Sequence, residues 1–198
     1  MSRKAPQRLA SYTGIDLNAS RLQHRYASID IPHSFYDVDL DTDWNVGTFD
    51  VAWCSECIEH ILDDKGVFRK IVRSVRRRGL IVVTMPSLAH RERVGVNLPE
   101  LLEVGSVQDG GHVHLGYDRA SLAALCAGTS SDLIRCDGVT RADLSYMRRR
   151  YRWPEPAQLL SNLINVVCRT KADRYALGDD KTLDHADYQS IGGVFHVY

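Results

Sequence analysis

No stretch of this chain approaches the ~20 consecutive apolar residues needed to cross a bilayer. No hydrophobic core follows the basic start Met1-Ser2-Arg3-Lys4-Ala5-Pro6 either, so neither a spanning helix nor a secretory leader is predicted and the expected address is the cytoplasm. An excess of charge is also lacking. Lys plus Arg number 25 and Asp plus Glu number 25, which leaves no global field to recruit nucleic acid or an anionic membrane. The two basic runs, Arg76-Arg77-Arg78 and Arg148-Arg149-Arg150, are expected to be solvated helix faces. Cysteines are few and odd in number, five in all (Cys54, Cys57, Cys126, Cys136 and Cys168), which argues against a disulfide framework and for reduced, mostly buried thiols. Cys54 and Cys57 form a C-x-x-C, but no second close pair exists to complete a structural zinc site, so the spacing is taken as coincidence. Internal repeats and low-complexity linkers are absent as well. Finally, residues 1–11 contain no glycine.

What remains is enough chain, 198 residues, for one domain with a substantial core. Its first half alternates strands and helices at short intervals, the pattern of a mostly parallel sheet with crossover helices. Tyr12–Asp16 is a predicted strand ending in an acid, followed by a helix over Ala19–Tyr26 with Asn18 as its cap. Phe35–Leu40 and Phe49–Cys54 are predicted strands, the latter apolar enough to be buried on both faces. A helix is predicted from Asp64 to Arg77, with Val67, Phe68, Ile71, Val72 and Val75 on one face and Gly79 ending it. Leu80–Thr84 is then a β-branched strand stopped by Pro86. Beyond it, a helix over Arg119–Ala127 and strands at Leu133–Cys136 and Gly193–Tyr198 are predicted, the two late strands forming an antiparallel pair. Between them, Ala142–Asp180 is expected to be a helical insertion, interrupted at Trp153-Pro154-Glu155-Pro156.

Three segments carry a resemblance. Thr13-Gly14-Ile15-Asp16-Leu17-Asn18 is the first, and Phe49-Asp50-Val51-Ala52-Trp53-Cys54-Ser55-Glu56-Cys57-Ile58-Glu59-His60-Ile61 the second, with Arg78–Pro86 downstream. Gly110-Gly111-His112-Val113-His114-Leu115-Gly116-Tyr117 is the third. In this order they resemble the type 11 and type 12 class I methyltransferases that use S-adenosylmethionine. The resemblance covers about Ser11 to Ala127, and it implies a Rossmann-like α/β fold. It also implies that Asp16, with Leu17 beside it, meets the ribose of the cofactor. A carboxylate beyond a strand's end offers two acceptors to a vicinal diol. Asp39 and Leu40 fall where the family holds adenine, though Asp37, Asp41 and Asp43 stand close by. Cys54 and Ser55 fall beside the methyl donor. Trp53 is either part of that edge or core.

Glu56, Glu59 and His60 stand at i, i+3 and i+4, one face of a helix if a helix has begun there. With His114, or His112 in its place, they form a candidate site for magnesium or manganese. This set is similar to one in the small-RNA 3′-end 2′-O-methyltransferases and in some ubiquinone-pathway enzymes. The competing reading makes His60, supported by Glu59, a substrate-side acid or base.

The family's first strand and its Asp-x-Gly-x-Gly-x-Gly loop should precede Tyr12, and the eleven residues there hold no such loop. A longer gene, or a relative that binds no cofactor, is the expectation that follows. The leading reading is a single domain over 1–198 that methylates an oxygen or nitrogen of a small molecule, a sugar among the candidates. Its rivals are a non-catalytic binding or assembly module and a metal-dependent RNA methyltransferase.

Overall fold

The computed structural model describes residues 9–25, 30–93, 111–141 and 188–198. They fall into two compact units divided after Gly47. The expected insertion over 142–180 lies outside the described residues, as do Arg148–Arg150, Cys168 and Gly110.

In the first unit, β1 (Tyr12–Asp16) and β2 (His33–Asp37) pair in parallel, with Asp16 opposite Asp37 at their ends. The short helix α1 (Ser20–Arg25) joins them. Its start is fixed from across the turn: the Asp37 carboxylate accepts hydrogen bonds from the Ser20 backbone N–H (2.8 Å) and hydroxyl (2.8 Å). The predicted cap, Asn18, contributes its carbonyl to Arg21 N–H at 3.2 Å. The second strand begins and ends earlier than predicted, so Asp39 and Leu40 lie in the turn after it.

The second unit holds a four-stranded mixed sheet in the order β3–β4–β6–β5. β3 (Phe49–Ser55) runs parallel to β4 (Val75–Pro86), while β6 (Tyr188–Val197) is antiparallel both to β4 and to β5 (Ser131–Arg141). α2 (Asp64–Arg73) crosses from β3 to β4; α3 (Leu88–Arg93) and α4 (Arg119–Leu125) follow. Asp63 caps α2 by accepting from Gly66 N–H at 2.9 Å, and Lys70 and Arg73 occupy its last turn, where the helix dipole favours cations.

α2 stops four residues short of the predicted end. Ser74 closes it, its hydroxyl donating to the Ile71 carbonyl at 2.8 Å. Val75, which continues the helical spacing of the apolar face, instead pairs with Phe49 as the first residue of β4. The run Arg76–Arg78 is solvent-exposed as expected, but on a strand rather than a helix.

The core follows from the pleat. Ile81, Val83 and Met85 alternate on one face of β4, and Phe195 lies opposite Ile81 on the same face. Phe68 of α2 meets Phe195 with ring centroids 4.7 Å apart, so α2 covers that face. Val82 and Val194 pair on the other. β3 pairs with β4 alone among the described residues, and Val51 and Trp53 are 54% and 41% exposed. A strand apolar enough for burial on both faces therefore stands at an edge. Trp53 is not core.

The order and sense of β1 with β2 are those of the second and third strands of a doubly wound sheet, and β3 with β4 those of its fourth and fifth. Among the described residues no strand precedes Tyr12. The late antiparallel pair is present, with β6, last in the chain, lying between β4 and β5. The fold is α/β and Rossmann-like.

Candidate functional site

Ligands of parallel α/β sheets bind beyond the carboxyl ends of the strands. In the second unit Ser55 Oγ lies 2.8 Å from Thr84 Oγ1 at that end, a hydrogen bond across β3 and β4. The next residue, Glu56, has φ 48, a left-handed turn, while its N–H donates to the Thr84 carbonyl at 2.8 Å. That turn throws the chain into a single 3₁₀ turn, Ile58–His60, rather than the α-helix that the i, i+3, i+4 spacing suggested. Ile58 and Glu59 are consequently buried and His60 stands at the surface, its side chain 36% exposed.

Glu59 is the anomaly of the site. It is 0% exposed, and both carboxyl oxygens are buried without a hydrogen-bond partner. Desolvation, then the neighbouring Glu56, push its carboxyl up to about 8. Desolvation also raises Glu56, whose carboxyl is held by the side chains of Ser190 and Thr84. His60 Nε2 lies 3.9 Å from Glu59 Oε1.

The segment from Gly111 to Tyr117 is clipped onto this turn. Val113 N–H and His114 N–H both donate to the Glu59 carbonyl, at 2.9 and 3.2 Å. Tyr117 donates to Asp64 Oδ2 at 3.0 Å, and its backbone bonds both Pro86 and Leu88. Burial and the facing Asp64 carboxylate raise the Tyr117 phenol far above its ordinary value, which keeps it a donor. Gly111, at φ 78, takes a backbone conformation that a side chain resists.

The two histidines of this segment part ways. His112 stacks near His60, ring centroids 4.6 Å apart, and one ligand atom from each of Glu59, His60 and His112 lies within 4.8 Å of the others. His114 turns the other way: its Nε2 meets the Ile61 carbonyl at 2.8 Å and lies 4.0 Å from Asp64 Oδ2. The geometry therefore brings His112, and not His114 or Glu56, to the Glu59–His60 pair. Arg91 of α3 joins them, its Nη1 3.1 Å from His112 Nδ1. Sequence reasoning missed Arg91, Thr84 and the Tyr117–Asp64 pair; Thr84 and Tyr117 lay in segments with a recognisable pattern, but no pattern marked them as site residues.

The cofactor candidates divide between the units. In the first, Asp16 is exposed at the end of β1 and its Oδ1 accepts the Asn18 N–H at 3.0 Å, while Leu17 is 67% exposed in the turn. Asp39 Oδ1 accepts Asp41 N–H at 3.0 Å, and its carbonyl takes both N–H and hydroxyl of Thr42, so Asp39 and Leu40 form a self-bonded turn. In the second, Cys54 and Ser55 end β3. The Cys57 thiol beside it, then burial, push the Cys54 thiol well up.

A family model described as a methyltransferase domain matches residues 1–83. Solved methyltransferases share the fold. An S-adenosylmethionine-dependent methyltransferase from Mesorhizobium loti is 14% identical, with a TM-score of 0.56 over 94% of this chain and 80% of that one. The chain thus has the fold of class I methyltransferases. The phosphoethanolamine N-methyltransferase 2 of Haemonchus contortus, solved with phosphomonomethylethanolamine and S-adenosylhomocysteine, is 18% identical with a TM-score of 0.56. It is matched over 93% of this chain and 42% of its own. The N-methyltransferase NodS of Bradyrhizobium japonicum, solved with S-adenosylhomocysteine, is 11% identical, with a TM-score of 0.50 over 93% of this chain and 65% of NodS. The chain thus spans less than two thirds of the last two. No protein of curated function matches it in sequence.

Proposed function

We propose that this chain transfers a methyl group from S-adenosylmethionine to an oxygen or nitrogen of a small molecule. The observation that carries the reading is the turn after β3. It sets an exposed His60 over a buried Glu59 at the carboxyl end of two parallel strands, where this fold class binds its ligands. The residues at hand suit the cofactor: Asp16 offers a solvent-facing carboxylate at the end of β1, and the turn at Asp39 and Leu40 offers further acceptors. When bound, S-adenosylmethionine supplies an electrophilic methyl on a positively charged sulfur. Within the first unit, Asp16 and Leu17 would hold the ribose and Asp39 with Leu40 the adenine; in the second, Cys54 and Ser55 end the strand that the resemblance assigns to the methyl donor.

On the acceptor side, His60 would take the proton lost as the acceptor attacks, a step worth about 10²–10⁴ in rate. Glu59, buried with Oε1 3.9 Å from His60 Nε2, would set the electrostatic surroundings of the imidazole. The larger part of catalysis in such a site is positioning of acceptor against methyl donor. A divalent cation on the same face would instead lower the acceptor's pKa directly. A sugar remains the acceptor class proposed here, by family analogy.

The test is calorimetric titration of the folded 198-residue chain with S-adenosylhomocysteine. Micromolar binding is expected, and Asp16→Ala is expected to weaken it by about 2–3 kcal/mol, the loss of a charged hydrogen-bond acceptor. A folded chain that binds nothing would overturn the proposal and leave a non-catalytic relative.

A further inference from the structure

The cations of this chain are unevenly placed. From Lys65 to Arg78 stand seven of them and no carboxylate. The helix dipole accounts for two, Lys70 and Arg73 in the last turn of α2. It does not account for Lys65 in the first turn, where a cation is disfavoured, or for Arg69 in the middle. Lys65, Arg69 and Arg73 follow at i, i+4 and i+8, a row of like charges that weakens a helix unless something negative meets it. The neighbouring carboxylates have other work. Asp64 accepts from the Tyr117 hydroxyl, and Asp63 gives one oxygen to Gly66 N–H while the other lies 3.8 Å from Arg69.

There is room for an anion beside this row. Arg69, Lys70 and Arg73 line an open cavity of about 420 Å³, whose facing wall is the turn Gly128–Ser130 between α4 and β5. That turn is firmly held. The Thr129 hydroxyl donates to the Cys126 carbonyl at 2.8 Å, and the Ser130 carbonyl accepts Tyr198 N–H at 3.0 Å. Ser131 pairs with Val197 and Leu80 with His196, so the turn lies level with the start of β4, at the opposite end of the strands from Ser55. Arg76–Arg78, exposed on the start of β4, add to the positive field there.

We infer that this cavity is a second ligand site, for the phosphate groups of a small anionic molecule, separate from the site of methyl transfer. The lining chooses the class. Two arginines one helical turn apart present planar forks that match phosphate oxygens in pairs, and Lys70 adds a point charge. Ser130 brings a hydroxyl from the facing wall. The volume suits a metabolite. Among the described residues no aromatic side chain lines the cavity, whereas a nucleic-acid strand would need one for its bases to stack on.

The folded full chain would be titrated with pyrophosphate by calorimetry, at low and at raised salt, with acetate for comparison. One equivalent is expected, weakened by salt, with acetate far weaker. Arg69→Ala combined with Arg73→Ala should cost about tenfold or more in affinity. Lys65→Ala, on the same row but not lining the cavity, should cost less than about threefold. Ser130→Asp sets a carboxylate in the facing wall without touching the helix. It should do as much damage as the double variant, and it carries the test if circular dichroism shows that variant unfolded. No saturable binding by the folded chain, undiminished binding in these variants, or an equal loss in Lys65→Ala would overturn the site. Acetate as strong as pyrophosphate would overturn the phosphate class. Sedimentation with vesicles containing phosphatidic acid separates the two sources of phosphate. A chain left in the supernatant assigns the cavity to a soluble ligand; one that pellets and is freed by pyrophosphate assigns it to a lipid headgroup. Affinity for S-adenosylhomocysteine should be the same in the double variant as in the parent, and a loss there would overturn the separation of the two sites.

Discussion

Two adjacent residues steer the chain along β4. Arg78 sits at φ 66, a left-handed conformation that costs a residue with a Cβ about 1–2 kcal/mol. Next to it, a Cβ at Gly79 would run into the Val75 side chain and stand 2.7 Å from the Asp50 carbonyl. Replacing Arg78 by glycine is therefore expected to raise stability by up to about 1 kcal/mol. Gly79→Ala should lower it by about 1–3 kcal/mol, or several degrees in Tm, with thermal denaturation as the readout. Sequence alone takes Gly79 for a helix terminator, because a glycine after an apolar helical face usually is one; here it is a place where backbone and side chain crowd. The same scale shows what pattern can and cannot say of the site. That Glu59 and His60 belong together is visible in their spacing. Which of His112 and His114 joins them is not, since residues two apart on an extended segment point to the same side, and only the local path of the segment, bonded to the Glu59 carbonyl, parts them.

Among the elements, α4 is the one whose start is best defined. Asp118 accepts from Ser121 N–H at 2.7 Å, and Ser121 Oγ accepts from Asp118 N–H at 2.8 Å, a reciprocal cap. Asp118→Ala should cost about 1 kcal/mol. The bond from the Ser121 backbone N–H lowers the Asp118 carboxyl below its ordinary value. Its contribution is thus fully present above the ordinary carboxylate range and is lost as pH falls through the lowered, folded value. Urea melts at pH 7 and at pH 3 should therefore differ less in Asp118→Ala than in the parent; an equal acid loss in both would refute the assignment. α4 itself was legible from its apolar face, whereas the end of α2 was not. Val75 satisfies both the helical spacing and the alternation of β4, and tertiary pairing with Phe49 settles the tie.

Across the molecule, the order of strands and helices could be read from alternation and length, and with it a mostly parallel α/β sheet; the Rossmann-like class came from the resemblance. Sheet order could not, because periodicity says which residues face a core and nothing about which strand lies beside which. β6 is the telling case: it is the last strand of the chain, yet it hydrogen-bonds to both β4 and β5. Its Ile191, Val194, Phe195 and Val197 are all buried. A chain ending before Tyr188 is accordingly expected to lose cooperative unfolding of the second unit, seen as a flattened thermal transition by circular dichroism.

That placement also sets a timetable for biosynthesis. Polypeptides emerge from the ribosome amino end first, at about 5–20 residues per second. β4 therefore waits, one edge unmatched, while the whole of 87–187 is translated. During that interval Leu80-Ile81-Val82-Val83 is an apolar ribbon open to any passing strand, the kind of edge that native proteins shield. A ribosome that stalls, or a message that stops early, would release the chain in its most adhesive state, so the cell's holding chaperones have a natural client here until the final strand arrives.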